Sequence, residues 1–276
     1  MIFPLRRRRD SDDPIAAVFE RCRRQRRAAF IPYITAGDPD LETTGRLVEA
    51  LARGGADLIE LGVPFSDPIA DGPVNQRAAF RALQSGTTLS GVLELVANCR
   101  RRIDTPIVLF TYYNPIHVRG GERFAEQAAA SGVDGVLCVD LPPEEGRETL
   151  VPALEAQGID PIFLLAPTST PERIRRVAEA SRGFVYYVSR TGVTGEQKAL
   201  SESLAGELRR VRRIVGLPVA VGFGISTPEQ VSRVGRLADG VVVGSALVRL
   251  IEEHAEDPEL PARLERRVSE LVGGLR

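Results

Sequence analysis

Three carboxylates, Glu60, Asp67 and Asp71, share the run Glu60-Leu-Gly-Val-Pro-Phe-Ser-Asp-Pro-Ile-Ala-Asp-Gly-Pro73. Glu60 sits inside an apolar strand pattern of Leu58, Ile59, Leu61 and Val63. A buried charge costs several kcal/mol unless it is paired or used. In apolar surroundings a carboxyl titrates nearer neutrality, where it can both give and take a proton. Glu60 therefore reads as an acid–base group, with a paired structural carboxylate as the alternative. Leu58 and Gly62 share its face, and Gly62 is expected to leave open space above it. Asp67 and Asp71 follow in a loop stiffened by Pro64, Pro68 and Pro73, which can hold a carboxylate at little ordering cost. Asp67 reads equally well as a turn-former; Asp71, just before Gly72-Pro73, reads as facing substrate.

Glycine-containing loops after three later strand patterns suggest the other half of a site. They are Ser189-Arg-Thr-Gly-Val-Thr-Gly195, Gly222-Phe-Gly-Ile-Ser226 and Gly244-Ser-Ala246. Glycines let backbone N–H groups approach an anion, and a helix starting at Ser245 would add its positive end. Taken together they predict a phosphate site built from amides. Tyr112, Tyr113, Tyr186 and Tyr187 cluster in two strand patterns of a chain with no Trp. They could wall a flat apolar group, or simply pack the interior. His117 and His254 fall away from the predicted strand ends. No His, Cys or carboxylate cluster has metal-ligand spacing, and neither a dinucleotide fingerprint nor a P-loop is present.

These residues need a scaffold. Eight short apolar runs recur at Ala28–Thr35, Asp57–Val63, Pro106–Tyr113, Gly135–Asp140, Asp160–Ala166, Gly183–Ser189, Pro218–Phe223 and Gly240–Gly244. Helical patterns lie between them, among them Leu41–Arg53, Phe124–Ser131, Pro171–Ala180, Leu204–Val215 and Pro228–Leu237. Thr170-Pro171-Glu172 and Thr227-Pro228-Glu229 are helix starts, while Gly54-Gly55, Gly132 and Gly158 mark stops. Strand–helix alternation with near-continuous apolar strands predicts a parallel sheet covered on both faces. Eight units in 276 residues fit an α/β fold of one (β/α)₈ barrel with an extra N-terminal helix, its chemistry at the carboxyl ends of the strands. No linker divides the chain. The expected organisation is a flexible arginine-rich arm over 1–12 and one catalytic domain over 13–276.

A net charge of −1 gives no overall case for a nucleic-acid or membrane partner. No apolar run is long enough to span a bilayer, and no secretory signal opens the chain. Three widely spaced cysteines argue against a disulfide framework and fit the cytoplasm. Arg6–Arg9 read as a solvated tail, and Arg21, Arg23, Arg24, Arg26 and Arg27 as the exposed face of a short helix before the first strand.

Four motifs in this order, Ile31-Pro-Tyr-Ile-Thr-Ala-Gly-Asp-Pro39, the Glu60–Pro73 run, Ser189-Arg-x-Gly-Val-Thr-Gly195 and Gly222-Phe-Gly-Ile-Ser226, resemble the tryptophan synthase α-subunit family from about Asp13 to Glu253. That resemblance implies a lyase that splits indole-3-glycerol phosphate into indole and glyceraldehyde 3-phosphate. Carried over position by position, Glu60 would be the general acid/base and Asp71 the acceptor of the indole N–H. Tyr186 would lie beside the glutamate. Tyr33, where the family more usually has Phe, would form the indole pocket with Phe110 and Tyr112. Gly195, Phe223, Gly224, Gly244 and Ser245 would bind phosphate, and Thr194 would contact Asp71 when the loops close. The resemblance also implies a β chain carrying pyridoxal phosphate, in an α₂β₂ assembly that converts indole to tryptophan. No cofactor is expected in this chain. A free-standing lyase that releases indole is the alternative, and a non-catalytic activating subunit a second.

Overall fold

A computed structural model describes residues 13–189, 197–222 and 224–276, with the backbone alone for 197–203. Its parallel strands are β1 (Ala29–Thr35), β2 (Ile59–Gly62), β3 (Ile107–Thr111), β4 (Gly135–Cys138), β5 (Asp160–Ile162), β6 (Leu164–Leu165), β7 (Val185–Val188), β8 (Val219–Gly222) and β9 (Gly240–Val243). They are ordered β5-β4-β3-β2-β1-β9-β8-β7-β6. The fifth predicted run is thus split at Phe163 into β5, paired with β4, and β6, paired with β7. Because those two segments follow one another in the chain, the chain itself joins the sheet's two ends and the barrel closes. Even at the break, the Phe163 carbonyl accepts the Tyr186 N–H at 3.1 Å.

Alternation along each strand sorts side chains into two cores. Outward residues such as Phe30, Ile34, Leu61, Leu109 and Tyr187 pack under the helices. Inward residues, among them Ile31, Leu58, Val108, Phe184, Ala220 and Val242, fill the barrel. The predicted N-terminal helix (Pro14–Arg24) plugs that inner core at the amino ends of the strands. Its cap, Asp13, accepts the Ile15 and Ala16 N–H groups, and Pro14 opens its first turn. Ile15, Val18 and Phe19 are buried there, each contributing about 1.5–3 kcal/mol, and the Phe19 and Phe184 rings lie 5.5 Å apart.

The arginines around this helix are not simply a solvated face. Arg27 lies past its end and donates to both oxygens of Asp57 at 2.6 and 2.8 Å, while Arg21 reaches the same carboxylate at 3.1 Å. Asp57, 5% exposed, also accepts the Phe30 N–H at 2.9 Å. An acid at the start of a strand, needing partners, draws both arginines inward. Arg26 occupies the turn that ends the helix with φ of +56°, a left-handed conformation where glycine is usual.

The described helices exceed those the periodicity suggested. Two of them, Pro73–Gln84 and Leu89–Cys99, follow β2, and the first begins immediately after the Asp71 loop. The helix expected at Leu204 instead starts at Gln197. The helix over Ser245–Glu253 starts where the sequence placed it.

Candidate active site

Moving up each strand by two residues from the inner core reaches the site. Above Ile31 is Tyr33, above Leu58 is Glu60, above Val108 is Phe110, above Phe184 is Tyr186, and above Val242 is Gly244. Register aligns Tyr33 with Glu60 and Gly62 with Phe110. Tyr33, Glu60, Phe110, Tyr186, Gly244 and Ser245 line one cavity of about 270 Å³, closed on other sides by Val74, Asn75, Gly224 and Arg249.

Glu60 is 1% exposed, and its Oε1 has no hydrogen-bond partner. Burial pushes its pKa up to about 8, so at neutral pH the side chain is a carboxylic acid with a proton to give. The space above it differs from expectation. A Cβ at Gly62 would meet the Tyr33 hydroxyl at 2.3 Å, so the room glycine leaves is taken by the Tyr33 ring. That ring packs edge-on to Phe110 at 5.3 Å, and its hydroxyl lies 3.3 Å from Thr35 Oγ1. Gly222 does the same for Tyr186, whose hydroxyl would lie 2.2 Å from an added Cβ. Burial, followed by the nearby Glu60 charge, raises the Tyr186 pKa well above its ordinary value. Tyr186 therefore stays a neutral phenol beside the acid.

Asp71 is held from below. The Tyr112 hydroxyl donates to its Oδ2 at 2.9 Å and accepts the Ala70 N–H at 3.0 Å, while Phe65 stacks on the Tyr112 ring at 5.0 Å. Burial raises the Asp71 pKa, and hydrogen bonds from Tyr112 and Asn75 pull it back toward the ionised form. Tyr112, which the sequence placed in the indole pocket, thus holds Asp71. The Asp71 N–H donates to Pro68 O at 3.0 Å, and Gln76 Nε2 donates to Asp71 O at 2.9 Å. Asp67 is exposed and accepts from Ser66 Oγ at 2.5 Å.

Gly244 precedes the Ser245–Glu253 helix with no side chain capping its first turn. Its free N–H groups border the cavity beside Gly224, which has φ of +63°, and beside Arg249, a ready-made anion corner. Thr194, Gly195 and Phe223 lie outside the described residues. Tyr113 and Tyr187 are not brought to the site: the first opens a helix beside His117, and the second points outward and donates to Glu207 at 2.5 Å. Asn75 and Arg249 are site residues the sequence reading missed. Asn75 lies in the first turn of the helix that follows the Asp71 loop, and Arg249 lies one helical turn after Ser245, the spacing that was the available signal. Among the described residues no group of His, Cys, Asp and Glu could hold a metal ion, and no helix is long and apolar enough to cross a membrane.

The family model for the tryptophan synthase alpha chain matches residues 19–273. The chain belongs to the tryptophan synthase alpha chain family. The tryptophan synthase alpha chain of Solibacter usitatus is 54% identical over 260 residues, 94% of this chain and 97% of that one. That of Geobacter sulfurreducens is 52% identical over 262 residues, 95% and 97% of the two chains. Among solved structures, the tryptophan synthase subunit alpha of Legionella pneumophila superposes with a TM-score of 0.88 at 37% identity, covering 95% of this chain and 98% of that one. A tryptophan synthase chain from Mycobacterium tuberculosis gives 0.86 at 37% identity, covering 95% and 98%.

Proposed function

We propose that this chain cleaves indole-3-glycerol phosphate to indole and glyceraldehyde 3-phosphate with Glu60 as its single acid–base group. The observation that carries this reading is the buried Glu60 carboxyl, protonated at neutral pH and with an unpartnered oxygen, in the same cavity as the amide corner at Gly244 and Ser245. Phosphate binds at that corner through Gly224, Gly244, Ser245 and Arg249, with Gly195 and Phe223 completing it. The indole ring lies against Tyr33 and Phe110. Glu60 gives its proton to the ring carbon bearing the side chain. As a carboxylate it then takes the proton of the adjacent hydroxyl while the carbon–carbon bond breaks. The aldehyde and indole leave, and Glu60 ends protonated, so protons balance over the cycle.

Positive charge grows on the indole nitrogen in the first step. Asp71, accepting its N–H, stabilises that charge more in the transition state than in bound substrate, which is what lowers the barrier. Tyr112 and Asn75 aim Asp71 and favour its ionised form. The domain over 13–276 works in the cytoplasm with a β chain in an α₂β₂ assembly, and that partner carries the pyridoxal phosphate. Indole release by Glu60→Gln tests the reading: turnover drops by about 10²–10⁴-fold, and near-normal turnover overturns it. Adding a β chain separates the partnered enzyme, whose turnover rises, from a free-standing one.

A further inference from the structure

Different elements bear the parts of the catalytic cavity. The Pro73–Gln84 helix follows the Asp71 loop, the Ser245–Glu253 helix begins at the phosphate corner, and β1 brings the Tyr33 wall. A substrate whose ring and phosphate are joined by a short carbon chain must meet all three at once. Their spacing is therefore critical, since a misplacement of about 1 Å can cost about 10²-fold in rate.

Beneath the cavity the three elements meet in one apolar cluster. Ala78 of the first helix and Val248 of the second are fully buried against Tyr33, with Val74 and Phe110 packed beside them. Apolar burial holds elements together but is non-directional, so it does not stop one helix from sliding along the other. A polar layer does. Arg77 stands one residue before Ala78, Arg81 three after it, and Glu252 one turn beyond Val248. Arg77 donates from Nε and Nη2 to the two Glu252 oxygens at 2.7 and 2.8 Å, a bidentate pair. Arg81 Nη1 donates to the same Glu252 Oε1 at 2.7 Å, while its Nε and Nη2 donate to the two oxygens of Asp38 at 2.8 Å each. Asp38 is buried and lies three residues past the end of β1. One guanidinium thus ties β1 to both helices. Charge-assisted bonds from planar forks have fixed directions, so they set a distance as well as an attraction. Exposed pairs such as Arg77–Glu252 add little stability; what this one supplies is geometry.

We propose that Arg77, Arg81 and Glu252 are positioning residues, whose bridge holds the Asp71 loop and the phosphate corner at the spacing that one indole–phosphate molecule spans. The proposal rests on the lyase reading for the identity of that molecule. None of the three borders the cavity. A ligand that fills one half does not sense the spacing. A ligand that spans both halves does, because the gain from joining two fragments is lost when their sites no longer match the joint.

Glu252→Gln and Arg77→Met test this, since neither leaves the buried Asp38 without Arg81. Each full-length variant is titrated calorimetrically with glycerol 3-phosphate, with indole, and with indole-3-propanol phosphate, which lacks the hydroxyl that cleavage requires. Both fragments should bind within about twofold of their affinity for the unaltered chain, and the spanning analogue at least about tenfold more weakly. In parallel, kcat for indole-3-glycerol phosphate should fall at least about tenfold. Unchanged affinity for the analogue overturns the proposal, and so does a loss shared equally by the fragments, which would mean general loosening. An unaltered chain that binds the analogue but cleaves no substrate would overturn the lyase reading instead, and the affinities would still decide whether the bridge sets the spacing.

Discussion

Glu60 shows how burial alone can set a catalytic protonation state. Desolvation by burial is the cause of its raised pKa. The consequence for activity is a loss of kcat/KM as pH rises through about 8, because the acid that starts the reaction has already lost its proton. The consequence for stability has the same sign. Unfolded, the group titrates near 4.5, and folded near 8, so between those values the folded chain holds a proton that the unfolded chain has released. Its contribution is fully present below the lower value and is lost as pH climbs to the upper one. Glu60→Gln removes that dependence. Melting curves of both proteins should nearly coincide near the lower pH, with the variant increasingly the more stable as pH rises. A constant gap across the range would contradict a buried, titrating Glu60. Asp71 is shifted upward by burial as well, but there hydrogen bonds from Tyr112 and Asn75 offset part of the shift. Tyr112→Phe removes the hydroxyl that donates to it, so the Asp71 pKa rises further and indole release should fall by about tenfold; unchanged turnover would show that Tyr112 only fills space.

Two helices carry the halves of the site, and one ion-pair network fixes their separation. Pro73–Gln84 starts at the Asp71 loop and Ser245–Glu253 at the amide corner. Arg77 and Arg81 of the first reach Glu252 of the second at 2.7 Å each, and Arg81 also grips Asp38 with two bonds of 2.8 Å. These contacts are unequal in worth. Asp38 is 1% exposed, and burial raises its pKa even against Arg81, so removing the guanidinium strands a buried charge. Arg81→Met should cost about 3–5 kcal/mol. Glu252 is a quarter exposed and Arg77 more than half, and Glu252→Gln should cost about 1 kcal/mol or less. Urea unfolding of the two variants compares them directly, and similar losses would refute the ranking. Glycines at the strand ends complete the frame: Gly62 and Gly222 exist so that two tyrosine rings can lie across them.

At the scale of the molecule the barrel has two dissimilar poles. The catalytic pole exposes Ile69 in the Asp71 loop and Val118 just after β3, at 86% and 79%. Large apolar side chains on the Asp71 loop and on the short helix after β3 suit a partner that must receive indole. Val118→Asp lies outside the catalytic groups, so turnover of the isolated chain should persist while its stimulation by a β chain requires at least about tenfold more partner. Stimulation at unchanged β-chain concentration would move the interface elsewhere. The opposite pole is sealed by an N-terminal helix whose apolar face plugs the barrel.

Strand–helix alternation, the barrel, the acid in β2 and the glycines that follow β8 and β9 were all legible in the sequence, because each rests on local period and composition. Residues such as Phe110 and Tyr186 came with the family motifs. Asn75 and Arg249 were missed, although each lies one turn beyond a named residue. Long-range packing decided the remainder. Only the closed barrel brought the Tyr112 hydroxyl to Asp71, filled the gap over Gly62 with Tyr33, and drew Arg21 and Arg27 inward to Asp57. The physical reason is that a side chain's type and period fix which face it occupies, whereas its partner is whatever the other strands bring to that height in the barrel.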